Sequence, residues 1–254
     1  HRIRIAMIGM GAANVATYRL LKATGFDPAR IVACDRQGIL HKGRADIEAG
    51  RTEYADKWKV CLETNAEGER GGIPEALKGR DVCIAFSAGN IIKAQWVSAM
   101  AEDAIVFACA NPIPEIWPWE AREAGAKIMA TGRSDFPNQV NNSLVFPGVF
   151  RGALDIRART ITDDMAIAAA HELADYARQR GIHEEKILPT MDEWEVYPRV
   201  AVATALQAQE QGITALKKSR EQLHEEATHI ITQARDATQL LMKEQIIPPP
   251  PLDM

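Results

Sequence analysis

A glycine-rich turn near the start of the chain has the spacing of a phosphate-binding site. A strand-like apolar run is followed directly by Gly9, Met10, Gly11, Ala12, Ala13 and Asn14. This run carries two of the three glycines of a G-x-G-x-x-G motif, and Asn14 stands where the third would be. Gly9 would permit the tight turn, and Gly11 would let the backbone approach a pyrophosphate. The free N–H groups of the helix predicted after the turn would then bind the phosphate oxygens.

A carboxylate follows the second apolar run at the distance that a dinucleotide site requires. Asp35 ends the run at residues 31–34, and an acidic residue at about 20 residues beyond the turn is typical of such sites. Asp35 could accept hydrogen bonds from both ribose hydroxyls of NAD and would repel the extra phosphate of NADP. Arg36 could reach that 2′-phosphate, or it could be a solvated surface residue. The pair favours NAD and leaves NADP open.

Other polar residues follow the later apolar runs, where ligands of open α/β sheets bind. Ser87 and Gly89 could let a dinucleotide lie close to the backbone, or could form a simple turn. Asn111 could bind a substrate carboxylate or a nicotinamide amide, or could make an Asx-type turn into the following proline. The polar run at residues 134–142 could line a cleft or cap an apolar helix predicted at residues 143–154.

The first half of the chain predicts a sheet that would position these residues. Apolar runs that read as strands occur at residues 2–8, 31–34, 81–86, 104–110 and 127–130. Helices are predicted between them at residues 13–22, 46–58, 92–100 and 119–124, with a less regular stretch at residues 37–77. Near-continuous apolar strands separated by helices are typical of a parallel sheet buried on both faces. The predicted fold class is therefore α/β, a doubly wound parallel sheet of the Rossmann type.

After residue 157 the pattern becomes purely helical. We therefore predict a Rossmann-type core at residues 1–157 and a C-terminal helical extension at residues 158–254. Helices are predicted at residues 162–180, with Thr162 as N-cap, and at residues 197–211 and 214–246. The last helix has an apolar stripe that could pack on its own domain or contact another domain or subunit. Four prolines at residues 248–251 predict a frayed tail.

Composition and charge exclude several classes of protein. The chain has 254 residues, of which 46% are hydrophobic, and a net charge of −4. That balance argues against disorder and against a strongly basic nucleic-acid binder. No apolar run reaches the roughly 18–20 residues of a membrane span, and no secretory signal precedes the first strand. The four cysteines are widely spaced, so we expect reduced thiols and a cytoplasmic protein.

The longer motifs resemble a known family. The segments "IGMGAAN", "CDRQGIL", "FACANPIPEI" and "ATGRSDFPNQVNNSLVFPGVFRGALDIRA" strongly resemble the cofactor-binding half of bacterial malic enzymes. The resemblance extends to about Gly212 and is less distinct beyond it. The run from Asn138 to Asp155 is its most specific part. The resemblance implies oxidative decarboxylation of malate to pyruvate and carbon dioxide, with reduction of NAD or NADP.

The resemblance also implies which residues touch the ligands. The implied cofactor contacts are Gly9, Gly11, Ala12, Ala13, Asp35, Arg36, Ser87, Gly89 and, beside the nicotinamide ribose, Asn141. Asn111 and Asn142 match the asparagines that contact malate in the family. The cofactor expectation is NAD, with NADP possible, and a divalent Mg²⁺ or Mn²⁺ is implied for the complete enzyme. We also expect a homo-oligomer that binds neither nucleic acid nor membranes.

The groups that the family uses for proton transfer and metal binding are expected outside this chain. In the family a lysine, a tyrosine and the acidic metal ligands belong to the preceding domain, and no histidine here has metal-ligand spacing. The chain begins at His1 inside a strand-like run. We therefore expect an excised part that supplies no catalytic residue and no metal ligand, and that is inactive alone. Two alternatives stay open: another Rossmann-type dehydrogenase domain, and a non-catalytic dinucleotide-sensing or assembly module.

Overall fold

The computed structural model describes residues 3–250. The chain forms two compact units. The first comprises the residues up to Asn141 together with Ala177–Leu188, and the second comprises Asn142–Tyr176 together with the residues from Pro189 onward. Arg2, in the first predicted strand, and Pro251, in the predicted tail, lie outside the described residues.

The first unit is built on a six-stranded sheet with the order β3-β2-β1-β4-β5-β6. The strands are β1 (Ile5–Ile8), β2 (Ile31–Asp35), β3 (Gly38–Ile39), β4 (Val82–Ala85), β5 (Ile105–Ala108) and β6 (Ile128–Thr131). All neighbours pair in parallel except β2 and β3, which are antiparallel. The strand order reverses between β1 and β4, which is the topological switch point of a doubly wound sheet. The predicted α/β class is confirmed.

Six helices of the first unit lie on the two faces of this sheet. They are α1 (Ala12–Ala23), α2 (Ala45–Ala49), α3 (Ala55–Glu63), α4 (Ile73–Leu77), α5 (Ala94–Val97) and α6 (Pro118–Glu123). Successive strand residues point to opposite faces, so Ile5 and Met7 pack with α1–α3 while Ala6 and Ile8 pack with α4–α6. Both faces are therefore covered, as the near-continuous apolar strands predicted.

The irregular stretch after β2 differs from the sequence prediction in two ways. The two-residue strand β3 was not predicted, because so short an element has no periodicity to detect. The single helix predicted at residues 46–58 is wrong, since Gly50 ends α2 and a separate helix begins at Ala55. Both differences affect the surroundings of Asp35, because this stretch brings Arg44 and Lys57 back to the end of β2.

The second unit is helical, as predicted. It contains α7 (Phe146–Asp155), α9 (Val196–Glu210), α10 (Arg220–Lys243) and, through Tyr176, α8 (Asp163–Gln179). Gly148 and Gly152 let α7 approach α9 closely: a Cβ at Gly148 would lie 2.7 Å from the Val200 Cβ, and one at Gly152 would clash with the Ala201 carbonyl oxygen. This packing draws α7 into the second unit, so the units divide earlier than the boundary predicted at residue 157.

Two details of the predicted helices differ in the structure. The helix predicted at residues 143–154 is preceded by a separate 3-10 helix at Asn142–Leu144. The last helix begins at Arg220 rather than at residue 214 and buries Leu223 and Ala227. The predicted N-cap is present, since the Thr162 Oγ1 accepts a hydrogen bond from the Met165 N–H at 3.3 Å.

Within residues 3–250, no helix combines the length and apolar character that a membrane crossing needs.

Candidate functional site

A cavity of about 570 Å³ lies at the carboxyl ends of β1, β2 and β4. It is lined by Ile8, Gly9, Cys34, Asp35, Arg36, Gly38, Gly72, Ile73, Pro74, Ser87, Ala88, Ile91 and Trp96. The lining is largely apolar, with charged side chains from the end of β2. A position outside the carboxyl ends of the strands, at the switch point, is where open α/β sheets bind their ligands. Four of the predicted cofactor residues, Gly9, Asp35, Arg36 and Ser87, line this cavity.

Gly9 and Gly11 serve different purposes in the turn between β1 and α1. Gly9 has a φ of +84°, and a Cβ there would clash with the Phe86 carbonyl oxygen and lie 2.8 Å from the Ser87 Cβ. Gly9 is therefore required for the turn and for the approach of the chain after β4. Gly11 has a φ of −87°, which any residue can adopt, and a Cβ there would meet no heavy atom within 4 Å.

The first turn of α1 presents unpaired backbone donors. No side chain caps this helix, and its first-turn residues, Ala12 and Ala13, are exposed and small. The N–H groups of a helix's first turn have no intrahelical acceptor, and the helix dipole favours an anion there. The open space at Gly11 and these free donors together form a cradle with the chemistry of a phosphate site.

Asn14 replaces the third motif glycine and joins the helix to the sheet. It is completely buried, and its side-chain amide donates to the carbonyls of Gly9 at 2.7 Å, Ile8 at 3.0 Å and Ile84 at 3.3 Å. A glycine allows close helix–strand packing by being small, whereas Asn14 fills the gap and hydrogen-bonds across it. The side chain therefore secures the turn at the ends of both β1 and β4.

Asp35 is held by basic residues from the stretch after β2. Its Oδ1 accepts from Arg44 Nη1 at 3.0 Å and from the Gln37 N–H at 2.9 Å. Its Oδ2 accepts from Arg44 Nη2 at 3.1 Å and from Lys57 Nζ at 3.3 Å. Burial by itself would raise the pKa of Asp35, but the hydrogen bonds from Arg44, Gln37 and Lys57 outweigh it and lower that pKa. Asp35 is thus an ionised carboxylate at neutral pH.

These contacts change the expectation for the cofactor ribose. A carboxylate offers about four lone-pair positions, and four donors already occupy those of Asp35. A ribose hydroxyl would have to displace one of them, and Lys57 makes the longest contact. Arg44 and Lys57 also offset the charge with which Asp35 would repel a 2′-phosphate. Arg36 is exposed beside them. Sequence reasoning missed Arg44 and Lys57, which follow Asp35 by 9 and 22 residues in the chain.

The turn after β4 is held by a buried glutamate that sequence reasoning also missed. Glu115 is completely buried. Its Oε1 accepts from the Ser87 N–H at 2.6 Å and the Ser87 hydroxyl at 3.0 Å, and its Oε2 accepts from the Ala110 N–H at 3.0 Å. Gly89 lies against Ile113, whose Cβ would be 2.7 Å from a Cβ at Gly89. The turns after β4 and β5 are therefore joined.

Asn111 follows β5 and is exposed. Its side-chain amide lies against Gly132, where an added Cβ would be 2.7 Å from the Asn111 Nδ2. Arg133 supports the same loop, since it donates to the Pro112 carbonyl at 2.7 Å and lies over the Trp117 ring at 5.5 Å. The loop that carries Asn111 is thus supported by Arg133, and Gly132 leaves room for the Asn111 amide.

The residues of the polar run after β6 have different roles: Asn138 supports the structure, whereas Asn141 and Asn142 remain candidate site residues. Asn138 is buried, donates to the carbonyls of Met129 at 3.1 Å and Glu184 at 2.8 Å, and accepts from the Ile187 N–H at 2.9 Å. It neither lines a cleft nor caps a helix. Asn141 is the last residue of this stretch in the first unit, while Asn142 is exposed and begins the second unit.

The cysteine in the cavity wall is not a nucleophile. Burial, and then the neighbouring Asp35, raise the pKa of Cys34 to about 11, with Arg44 acting in the opposite direction. The thiolate is the reactive form of cysteine, so Cys34 is a protonated, apolar wall residue at neutral pH. All four cysteines of the chain are free thiols.

Comparison with known proteins points to one family. Residues 5–209 match the family described as "Malic enzyme, NAD binding domain". The chain is 41% identical to an NAD-dependent malic enzyme of Geobacillus stearothermophilus over 83% of its own length and 42% of that protein. It is 38% identical to an NADP-dependent malic enzyme of Halomonas elongata over 83% of its own length and 51% of that protein.

A solved structure agrees with these relatives. The crystal structure of Entamoeba histolytica malic enzyme superposes with a TM-score of 0.94 and 46% identity, covering 99% of this chain and 52% of that one. The chain thus spans about half the length of the relatives that it matches. The cradle at the start of α1 lies within the matched residues. The chain therefore belongs to the malic enzyme family, of which it is the NAD-binding domain.

Proposed function

We propose that this chain binds NAD or NADP across the ends of β1 and β4 and so serves the oxidative decarboxylation of malate to pyruvate in the complete protein. The observation that carries the proposal is the cradle at the start of α1. Gly11 leaves open space that the fold itself does not require, and the helix dipole and free N–H groups face that space. A purely structural turn would need only Gly9.

The proposed contacts follow the two halves of a Rossmann-type sheet. Gly9, Gly11, Ala12 and Ala13 would contact the pyrophosphate, and Asp35 with Arg36 would lie at the adenosine ribose. Ser87, Gly89 and Asn141 would contact the nicotinamide half, and Asn111 and Asn142 would bind malate. When bound, the nicotinamide ring accepts the hydride that leaves malate. The residues of this chain act by binding and orienting the two reactants.

The remaining chemistry is assigned to other parts of the complete protein. We propose that proton transfer and the Mg²⁺ or Mn²⁺ site belong to a catalytic domain that precedes this one, and that the complete protein forms homo-oligomers. Relatives about twice as long as this chain support a further domain. We also place the protein in the cytoplasm, because its four cysteines are free and disulfides are rare in that compartment.

We further propose NAD as the preferred dinucleotide, because Asp35 is ionised at the ribose position. Arg44 and Lys57 offset part of its charge, so the discrimination against NADP should be modest rather than absolute. Calorimetric titration of the chain with NADH and NADPH tests both proposals at once. Saturable binding with NADH the tighter ligand is expected. The absence of binding by either dinucleotide would refute the dinucleotide site, and tighter binding of NADPH would refute the preference.

A further inference from the structure

A buried carboxylate joins two loops of the candidate site. Glu115 is 0% exposed and lies between the chain segments that follow β4 and β5. Its two oxygens accept three hydrogen bonds, from the Ser87 N–H, the Ser87 hydroxyl and the Ala110 N–H, at 2.6 to 3.0 Å. All three partners donate, and the two side-chain oxygens of Glu115 accept.

This carboxylate has no cationic partner within residues 3–250, where the structure shows no ion pair to Glu115. Placing a carboxylate in a protein interior costs free energy unless donors compensate for the lost water. A hydrophobic side chain of similar size would avoid that cost but would leave the Ser87 and Ala110 N–H groups without their acceptor. The specific result of having glutamate here is a fixed geometry for the backbone at Ser87 and Ala110.

Backbone contacts extend this connection along both loops. The Asn90 N–H donates to the Pro114 carbonyl at 2.9 Å, and the Ile92 N–H donates to the Glu115 carbonyl at 2.9 Å. Residues 87–92 and 110–115 therefore form one hydrogen-bonded body, with Glu115 as its only buried acidic side chain among the described residues. This body carries Ser87 and Gly89 on one loop and Asn111 on the other.

We propose that Glu115 is a positioning residue for the nicotinamide half of the dinucleotide. The inference rests on the proposed function. In a doubly wound sheet each half binds one mononucleotide, and Asp35 assigns the adenosine to the β1–β2–β3 half. The nicotinamide half then lies at β4–β5–β6, where Glu115 fixes the loops. Its side-chain hydrogen bonds end at Ser87 and Ala110. Ser87 lies against Gly9, so an effect of Glu115 on the adenosine half would have to pass through that contact.

The test compares a whole dinucleotide with a ligand that lacks the nicotinamide. The variant Glu115→Gln keeps the side-chain shape but turns one acceptor into a donor, so one backbone N–H is left unpaired whichever way the amide points. Calorimetry on the full chain measures Kd for NADH and for ADP-ribose. The expected result is an NADH affinity that is weaker by about tenfold, with an ADP-ribose affinity that stays within about twofold of the wild type.

Glu120→Gln is the matched control. Glu120 is exposed, and its carboxylate accepts one backbone N–H, that of Trp117 at 3.2 Å. The Glu120→Gln variant should leave the affinities for NADH and for ADP-ribose unchanged. A second variant, Glu115→Asp, keeps the carboxylate but is one methylene shorter, so it cannot hold both loops in the same geometry, and it should show the same selective loss if the glutamine variant does not fold.

The outcomes separate the inference from the function on which it rests. Equal losses for NADH and ADP-ribose would make Glu115 a general structural residue and overturn the inference, as would unchanged NADH binding. A wild-type chain that binds ADP-ribose no less tightly than NADH would also overturn it, because no nicotinamide contact would then exist to position. A wild-type chain that binds neither ligand would refute the proposed function, and this inference with it.

Discussion

Replacement of Gly11 by valine should weaken dinucleotide binding while the fold survives. The backbone there has a φ of −87° and a ψ of −171°, which is extended and suits a β-branched residue. No heavy atom lies within 4 Å of the position that the Cβ would take. The cost to folding is therefore limited to the preference for glycine over valine at a helix N-cap, about 1 kcal/mol or less.

The effect on binding should be larger than the effect on folding. Two methyl groups would stand in the space through which a pyrophosphate approaches the helix N-terminus, and they would hold the phosphate oxygens away from the N–H donors. Loss of that contact should weaken NADH binding by at least tenfold, which corresponds to about 1.4 kcal/mol. Fluorescence or calorimetric titration with NADH measures this loss, and thermal unfolding followed by circular dichroism measures the stability.

Gly9→Ala is the contrasting variant. Its φ of +84° costs about 1–2 kcal/mol for a residue with a Cβ, and that Cβ would clash with the Phe86 carbonyl oxygen. Its melting temperature should fall by several degrees, since about 1 kcal/mol corresponds to about 2–4 °C in a domain of this size. If Gly11→Val instead kept wild-type NADH affinity with an intact fold, the phosphate site would not lie at Gly11.

Other predictions concern the ribose site, pH and the substrate. Asp35→Ala should weaken NAD binding more than NADP binding, whereas Arg36→Ala should leave NAD affinity unchanged; direct titration with both dinucleotides decides. Because Arg44 lowers the pKa of Asp35 in the folded state, the pair stabilises the fold at neutral pH and this contribution is lost as the pH falls below about 4. Arg44→Gln should therefore flatten the acid limb of a pH–stability curve measured by urea unfolding, and an unchanged limb would refute the assignment. The chain alone should oxidise no malate with Mn²⁺, and metal-dependent turnover by it would contradict the proposed division of labour. Joined to the preceding domain, Asn142→Ala should lower kcat/KM for malate and leave NADH binding unchanged.

The fold class and much of the site could be predicted from local sequence. Strands such as Ile5–Ile8 and Ile31–Asp35 are short runs of apolar residues, and this pattern is readable because a strand covered on both faces needs apolar side chains in both directions. Gly9 and Asp35 could be assigned to one site, because in a parallel sheet the carboxyl ends of neighbouring strands meet at one edge. Those assignments require only the order of elements along the chain.

Some features depend on contacts between residues that are distant in sequence. The strand Gly38–Ile39 exists because it pairs with the end of β2, and two residues carry no periodic pattern of their own. Lys57 reaches Asp35 only because the chain returns after α2, so motif spacing could not show which charges surround Asp35. The same holds for Arg44, whose guanidinium joins Asp35 and Asp46.

Glu115 shows the distinction most clearly. In the sequence it is one acidic residue in a proline-rich segment, and a glutamate in such a segment is usually solvated. The tertiary structure buries it because β4 and β5 are adjacent, which brings the Ser87 and Ala110 N–H groups to its two oxygens. The sequence by itself determined most of the strands and helices, and the edge of the sheet at which the candidate site lies. Only the folded chain decided which charges and donors meet there, since hydrogen bonds act over a few ångströms in space whatever the separation along the chain.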